Sequence, residues 1–133
     1  MKITRLLGDS SDFREKSKKI DGISDLDMLK DIARNESDYR IRIKAVRYIS
    51  DDDFLRQVIY DDPNRNVKVA AVDNLTNHQY LKGIALTHQN CHVRIAAIKK
   101  LDDASLLSDI AKNESNRSVK KIAFPPGRGR PES

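Results

Sequence analysis

Residues 81–101 read LKGIALTHQNCHVRIAAIKKL, and two helical patterns lie in them back to back. Leu81, Ile84 and Ala85 fall at i, i+3 and i+4; after a polar break, Val93, Ala96, Ala97, Ile98 and Leu101 repeat that spacing. The spacing gathers apolar side chains on one side of a helix, so the stretch predicts a helix pair. The pair Ala96-Ala97 favours helix over strand and lets a neighbouring helix come close. A step of 26 residues in either direction meets the same pattern, with no insertion or deletion.

The units start at Ile3, Leu29, Leu55, Leu81 and Leu107. Leu6, Ile32, Val58, Ile84 and Ile110 share one apolar column; Ile41, Val67, Val93 and Val119 share a second; Ile20, Val46, Val72, Ile98 and Phe124 share a third. A fixed period of this size is one supersecondary unit stacked on copies of itself, since a single unit cannot bury its apolar side alone. An all-α solenoid of about five 26-residue helix pairs is therefore expected over residues 1–124, with repeats near 3–28, 29–54, 55–80, 81–106 and 107–124. A leucine-rich-repeat horseshoe has similar periods, but its strand of leucines alternating with polar residues is absent.

Start signals fall where the period demands. Ser24, Ser50, Thr76 and Asp102 each precede a first helix, with Asp27, Asp53, Gln79 and Ser105 three residues on, and the first three pairs read as capping boxes. Asp12, Asp38, Asn64, Asn90 and Asn116 form one column ahead of the second helices, where a short oxygen-bearing side chain caps exposed amides. Pro63 suits the turn before Asn64.

With LLSDIAKNES (106–115) and VRIAAIKKL (93–101) as its most typical stretches, the chain from residue 3 to about 124 resembles the HEAT-like family of short α-helical repeats of bacterial proteins, leucine-rich-repeat variants included. The resemblance implies a right-handed α-solenoid whose second helices line the inner, concave side, and a binding role of unspecified kind. The unit is shorter than the roughly 40 residues usual for HEAT, which affects curvature rather than helix pairing. An iron–sulfur variant of short helical repeats needs several cysteines, and this chain has one, Cys91.

That single cysteine also excludes a disulfide framework and suits a reducing compartment. No apolar run approaches the roughly 18 residues of a membrane span, and the start MKITRLL lacks a signal-peptide core, so a cytoplasmic protein off the membrane is expected. The ends differ from the middle. Glu15, Ser17, Lys18 and Lys19 stand where central units carry apolar or small residues, which reads as a polar cap. Pro125, Pro126 and Gly127 stop the last second helix early, and residues 125–133, PPGRGRPES, have the composition of a disordered tail or of an end appended for expression. Val119, Ile122 and Phe124 then have thinner cover, so a monomer with some end-to-end association through the last repeat is expected.

The charges carry the functional signal. Net charge is +5, but it is unevenly divided: the second-helix segments 13–23, 39–49, 65–75, 91–101 and 117–124 hold 16 of the 25 Lys and Arg residues and, of the acids, only Glu15, Asp21 and Asp73. In stacked helix pairs one set of helices lines one side, so the protein should be electrically two-sided. Lys16, Arg42, Lys68, Arg94 and Lys120 repeat at one height. Such a column in HEAT-type repeats often pairs with the recurrent Asp or Asn of a neighbouring unit, here Asp12, Asp38, Asn64, Asn90 and Asn116, as a structural ladder. Three of those five are uncharged, so the ladder would neutralise only part of the column. Arg40, Lys44, Arg47, Lys99, Lys100 and Lys121 have no repeat-wide role and read either as a working surface or as solvated helix faces.

Catalytic constellations are thin. His88, Cys91 and His92 have zinc-ligand chemistry, but the same columns hold non-ligands in other units and no fourth ligand recurs nearby. Asp51, Asp52 and Asp53, like Asp61 and Asp62, complement helix starts and need no cation. No nucleophile elbow or glycine-rich phosphate loop is present, so neither an enzyme nor a cofactor is expected. The first functional class is a non-enzymatic interaction scaffold that offers Arg40, Arg42, Lys44, Arg47, Lys68, Arg94, Lys99, Lys100 and Lys120 to an acidic protein partner. The alternative is a sequence-nonspecific nucleic-acid-binding module of HEAT-like type, for which DNA glycosylases of that architecture are the precedent. Against it, Trp is absent and Tyr48 is the only aromatic on the exposed side of a strongly basic second helix.

Overall fold

A computed structural model describes residues 12–123. Ile3, Leu6, Phe124 and the segment from Pro125 onward lie outside these residues. Among the described residues there are nine α-helices and no strand. They are α1 (Phe13–Asp21), α2 (Leu26–Asn35), α3 (Tyr39–Arg47), α4 (Asp52–Asp61), α5 (Arg65–Asn74), α6 (His78–Thr87), α7 (Cys91–Lys99), α8 (Ala104–Asn113) and α9 (Arg117–Ala123). None of these nine helices is long and apolar enough to cross a membrane. The chain divides into two compact units, Met1–Leu75 and Thr76–Ser133.

Each second helix starts on its expected residue. Asp12, Asp38, Asn64 and Asn90 sit in extended backbone and accept bonds from the first free amides of α1, α3, α5 and α7. Asn116 does the same for α9, taking the Ser118 and Val119 amides at 2.9 and 3.2 Å. The first helices start one residue later than the sequence suggested. Their caps are Asp25, Asp51, Asn77 and Asp103, and Asp25 alone takes the amides of Asp27 and Met28. Asp and Asn cap at least as well as Ser and Thr, so Ser24, Ser50, Thr76 and Asp102 stand one position outside. Asp27, Asp53 and Gln79 then fall at the second helical position rather than the third, and the expected capping boxes do not form.

Two kinds of helix end recur, and α5 combines them, its last turn tightened by the Leu75 amide on Val72 while Leu75 itself is extended. The second helices α1, α3 and α7 tighten in their last turn, as where the Tyr48 and Ile49 amides bond to Ala45 and Val46. They therefore end two residues short of the expected 23, 49 and 101. The first helices end on an extended residue, Glu36, Asp62, His88 and Glu114 in turn. Extended backbone there turns the chain and aims those four side chains sideways.

In the first unit α3 packs against α1, α2 and α5, and α5 also packs against α4. Its core is Ile20, Ile32, Ile41, Val46, Leu55, Val67 and Val72, all without solvent contact, with Val58 nearly so. In the second unit α7 packs against α6 and α9, and α9 against α8, around Ile84, Val93, Ile98, Ile110 and Val119. Every described member of the three apolar columns is buried. Each such side chain contributes roughly 1.5–3 kcal/mol of transfer free energy, so the columns hold both units together.

A cationic ladder and the basic second helices

Three of the five bases of the recurrent column, Lys16, Arg42 and Arg94, form the rungs of a ladder, but not with the partners that the sequence suggested. Lys16 Nζ bonds Glu36 Oε1 at 2.5 Å. Arg42 forks onto Asp62, Nε to Oδ2 at 2.9 Å and Nη2 to Oδ1 at 3.3 Å. Arg94 repeats the fork on Glu114 at 3.1 and 2.9 Å. Each carboxylate comes 20 residues after its base, from the extended residue that ends a first helix. Asp12, Asp38, Asn64, Asn90 and Asn116 are instead committed to amides at helix starts.

Each arginine is held on a third side. Arg42 Nη1 donates to the Glu36 and Ser37 carbonyls at 2.8 and 3.1 Å, and Arg94 Nη1 to those of His88 and Gln89 at 2.6 and 3.0 Å. Arg42 is 9% exposed, so its charge depends on these acceptors rather than on water. The carboxylates also organise the turn: Asp62 accepts the Asn64 amide at 2.8 Å and Glu114 the Asn116 amide at 3.1 Å. His88 holds the equivalent place, its Nδ1 accepting the Asn90 amide at 3.0 Å. An acceptor Nδ1 is unprotonated, so a neutral imidazole does in that turn what a carboxylate does in the others. His88 is thereby tied to its turn, and among the described residues no group of three His, Cys, Asp or Glu could hold a metal ion.

The other expected binding residues divide by unit. In the first unit Lys44 Nζ bonds Asp21 at 3.0 Å and Ser17 Oγ at 2.8 Å. Tyr48 donates its hydroxyl to the same Asp21 at 2.5 Å. These bonds, Tyr48 first, hold the Asp21 carboxyl below its usual value and lift the Tyr48 phenol above its own. Arg40 lies 4.6 Å over the Phe13 ring and pairs with Asp38 at 2.8 Å, and that hydrogen-bonded pairing holds the Asp38 carboxyl below its usual value and the Arg40 guanidinium above its own. Arg47 is exposed and Lys68 half-buried. In the second unit Lys99 and Lys120 are exposed and Lys100 is half-buried. Neither α7 nor α9 contains an acid; the described acids of that unit are Asp102, Asp103, Asp109 and Glu114, in turns and on α8.

Sequence reasoning missed the carboxylate half of the ladder. Its signal was present: an acid follows α2, α4 and α8 directly, always 20 residues after a column base. On the first-helix side, an opening of about 260 Å³ is lined by Arg34, Phe54, Val58 and Asp61 among others. Its one aromatic ring is already covered by Arg34 at 4.7 Å and Lys30 at 5.5 Å, and Arg34 also bonds Gln57. No protein-family model matches this chain, and no curated protein or solved structure shows significant similarity to it.

Proposed function

We propose that this protein is a non-enzymatic, cytoplasmic interaction scaffold: a HEAT-like, right-handed α-solenoid of about five 26-residue helix pairs whose basic second helices dock an acidic partner. One observation carries the reading. The helices α3, α7 and α9 hold bases and no acid, while the ladder takes only one base from a helix. Charge beyond what folding uses attracts acidic ligands and speeds their encounter. Arg42 and Arg94 serve the fold, so among the nine residues first considered the exposed Arg47 in the first unit and Lys99 and Lys120 in the second are left as candidate contacts, each on its own unit.

The test is a titration of labelled acidic peptide, single-stranded DNA and duplex DNA at several salt concentrations. The peptide should bind, more weakly as salt rises, and reversing Arg47 and Lys99 to Glu should weaken it about tenfold. Reversing Arg56 and Lys82, on first helices, should change little. Tighter binding of DNA with a steep salt slope would instead favour the phosphate-tracking alternative.

A further inference from the structure

The two units do not offer equivalent basic surfaces, and the difference selects both a place and a ligand chemistry. On α7, His92, Ile95 and Lys99 are spaced i, i+3 and i+7 and share one side; His92 and Lys99 are exposed and Ile95 half-buried. On α9, Ser118, Lys121 and Ile122 share a side in the same way; Ser118 and Lys121 are exposed and Ile122 half-buried. The opposite sides of both helices are in the core through Val93, Ala97 and Val119, and the two helices pack against each other. The solvent side of this pair is thus a small mosaic of aliphatic and ammonium groups, with Arg117 and Lys120 also exposed on α9.

Resting on the acidic-partner reading above, we infer that the α7 and α9 surface centred on Ile95, Lys99, Lys121 and Ile122 docks an acidic peptide segment that carries aliphatic side chains. Charge complementarity selects the acids, because neither helix contains a carboxylate and Glu114, which is bonded to α7, is spent on Arg94. Half-buried Ile95 and Ile122 select the aliphatic groups, since covering them removes apolar surface from water between the lysines. A nucleic acid fits this surface less well. Neither α7 nor α9 has a Phe, Tyr or Trp on which a base could stack, and the single imidazole of His92 offers no run of platforms for successive bases. In the first unit, by contrast, Lys44 and Arg40 are already taken by Asp21 and Asp38.

The experiment uses the full chain and fluorescence anisotropy with three probes of about a dozen units: a peptide alternating Glu and Leu, one alternating Glu and Ser, and oligothymidylate. The Glu–Leu peptide should bind best. The double variant Lys99→Glu with Lys121→Glu should weaken it about tenfold with an unchanged thermal melt. Ile95→Gln should weaken the Glu–Leu peptide several-fold and leave the Glu–Ser peptide unaffected. Equal binding of both peptides, or tightest binding of oligothymidylate, overturns the inferred ligand. A loss as large from Lys18→Glu with Arg47→Glu, in the first unit, overturns the inferred place while the acidic-partner reading survives. If no acidic probe binds the unaltered chain, both fall together.

Discussion

The second helices of the two units carry the same kind of residue and put it to different use. In α1 and α3 four bases are met by acids close by, Lys16 by Glu36, Arg40 by Asp38, Arg42 by Asp62 and Lys44 by Asp21, while Arg14, Lys18 and Arg47 stay exposed. Asn74 of α5 adds a neutral tie, donating its amide to the Val46, Arg47 and Ile49 carbonyls at the end of α3. In α7 and α9 the ladder claims Arg94, while Lys99, Arg117, Lys120 and Lys121 stay exposed. A surface whose charges are satisfied within the fold serves stability; one whose charges face water is open to a ligand.

The largest effect should come from the ladder. Asp62→Ala strands a guanidinium that is only 9% exposed and should cost about 3–5 kcal/mol of stability, whereas Glu114→Ala, whose Arg94 partner reaches more water, should cost less. Thermal and denaturant melts of the two variants measure the difference; equal, small losses would show that the rungs are ornamental. Charge reversal of Arg42 and Arg94 together should unfold much of the protein, which makes that pair unsuitable for testing partner binding.

A smaller loss follows from Asn74→Ala. It removes the donor that satisfies the end of α3 and should cost about 1–3 kcal/mol. Amide exchange should report faster opening of residues 46–49, with residues 93–98 unchanged. If the second unit loosens equally, the tie is not local to the first.

Acid should loosen the first unit around three of its carboxylates. Asp21, Asp38 and Asp51 are held below the ordinary value of 3.8 by Tyr48 with Lys44, by Arg40, and by Lys30 with the Phe54 amide, respectively. A carboxyl whose folded value is depressed gives its full stabilisation above its unfolded value and loses it as pH falls through the folded one. The loss therefore belongs below about pH 4, and it should be modest because these groups lie near solvent. Exchange measured at pH 5 and pH 3 should show residues 13–23 and 39–49 opening more, and Asp21→Asn should abolish most of that change around Tyr48.

The smallest effect on folding is expected where the effect on binding is largest. Lys99→Glu with Lys121→Glu touches no ion pair among the described residues and should move the melting temperature by no more than a degree or two, about 0.5 kcal/mol. A large destabilisation would mean that α7 and α9 use these lysines as α3 uses Lys44.

Much of this was legible in one dimension. The 26-residue apolar columns fixed which residues are buried, because a helix side is set by spacing within a single chain segment. Asp38 and Asn90 likewise announced where α3 and α7 begin, since a cap acts on amides two and three residues away. Asp25 and Asp51 were misread by one residue because adjacent oxygen-bearing residues compete for the same amides, and backbone geometry picks the winner. The uneven division of charge was readable too. Which charges are spent was not: Arg42 and Lys120 share one column in sequence, and only the turn that carries Asp62 across to α3 separates a buried fork from a solvated ammonium. Local spacing determines helices, caps and cores through short-range contacts; the fate of a charge depends on what the fold brings beside it, and that was for the tertiary structure to decide.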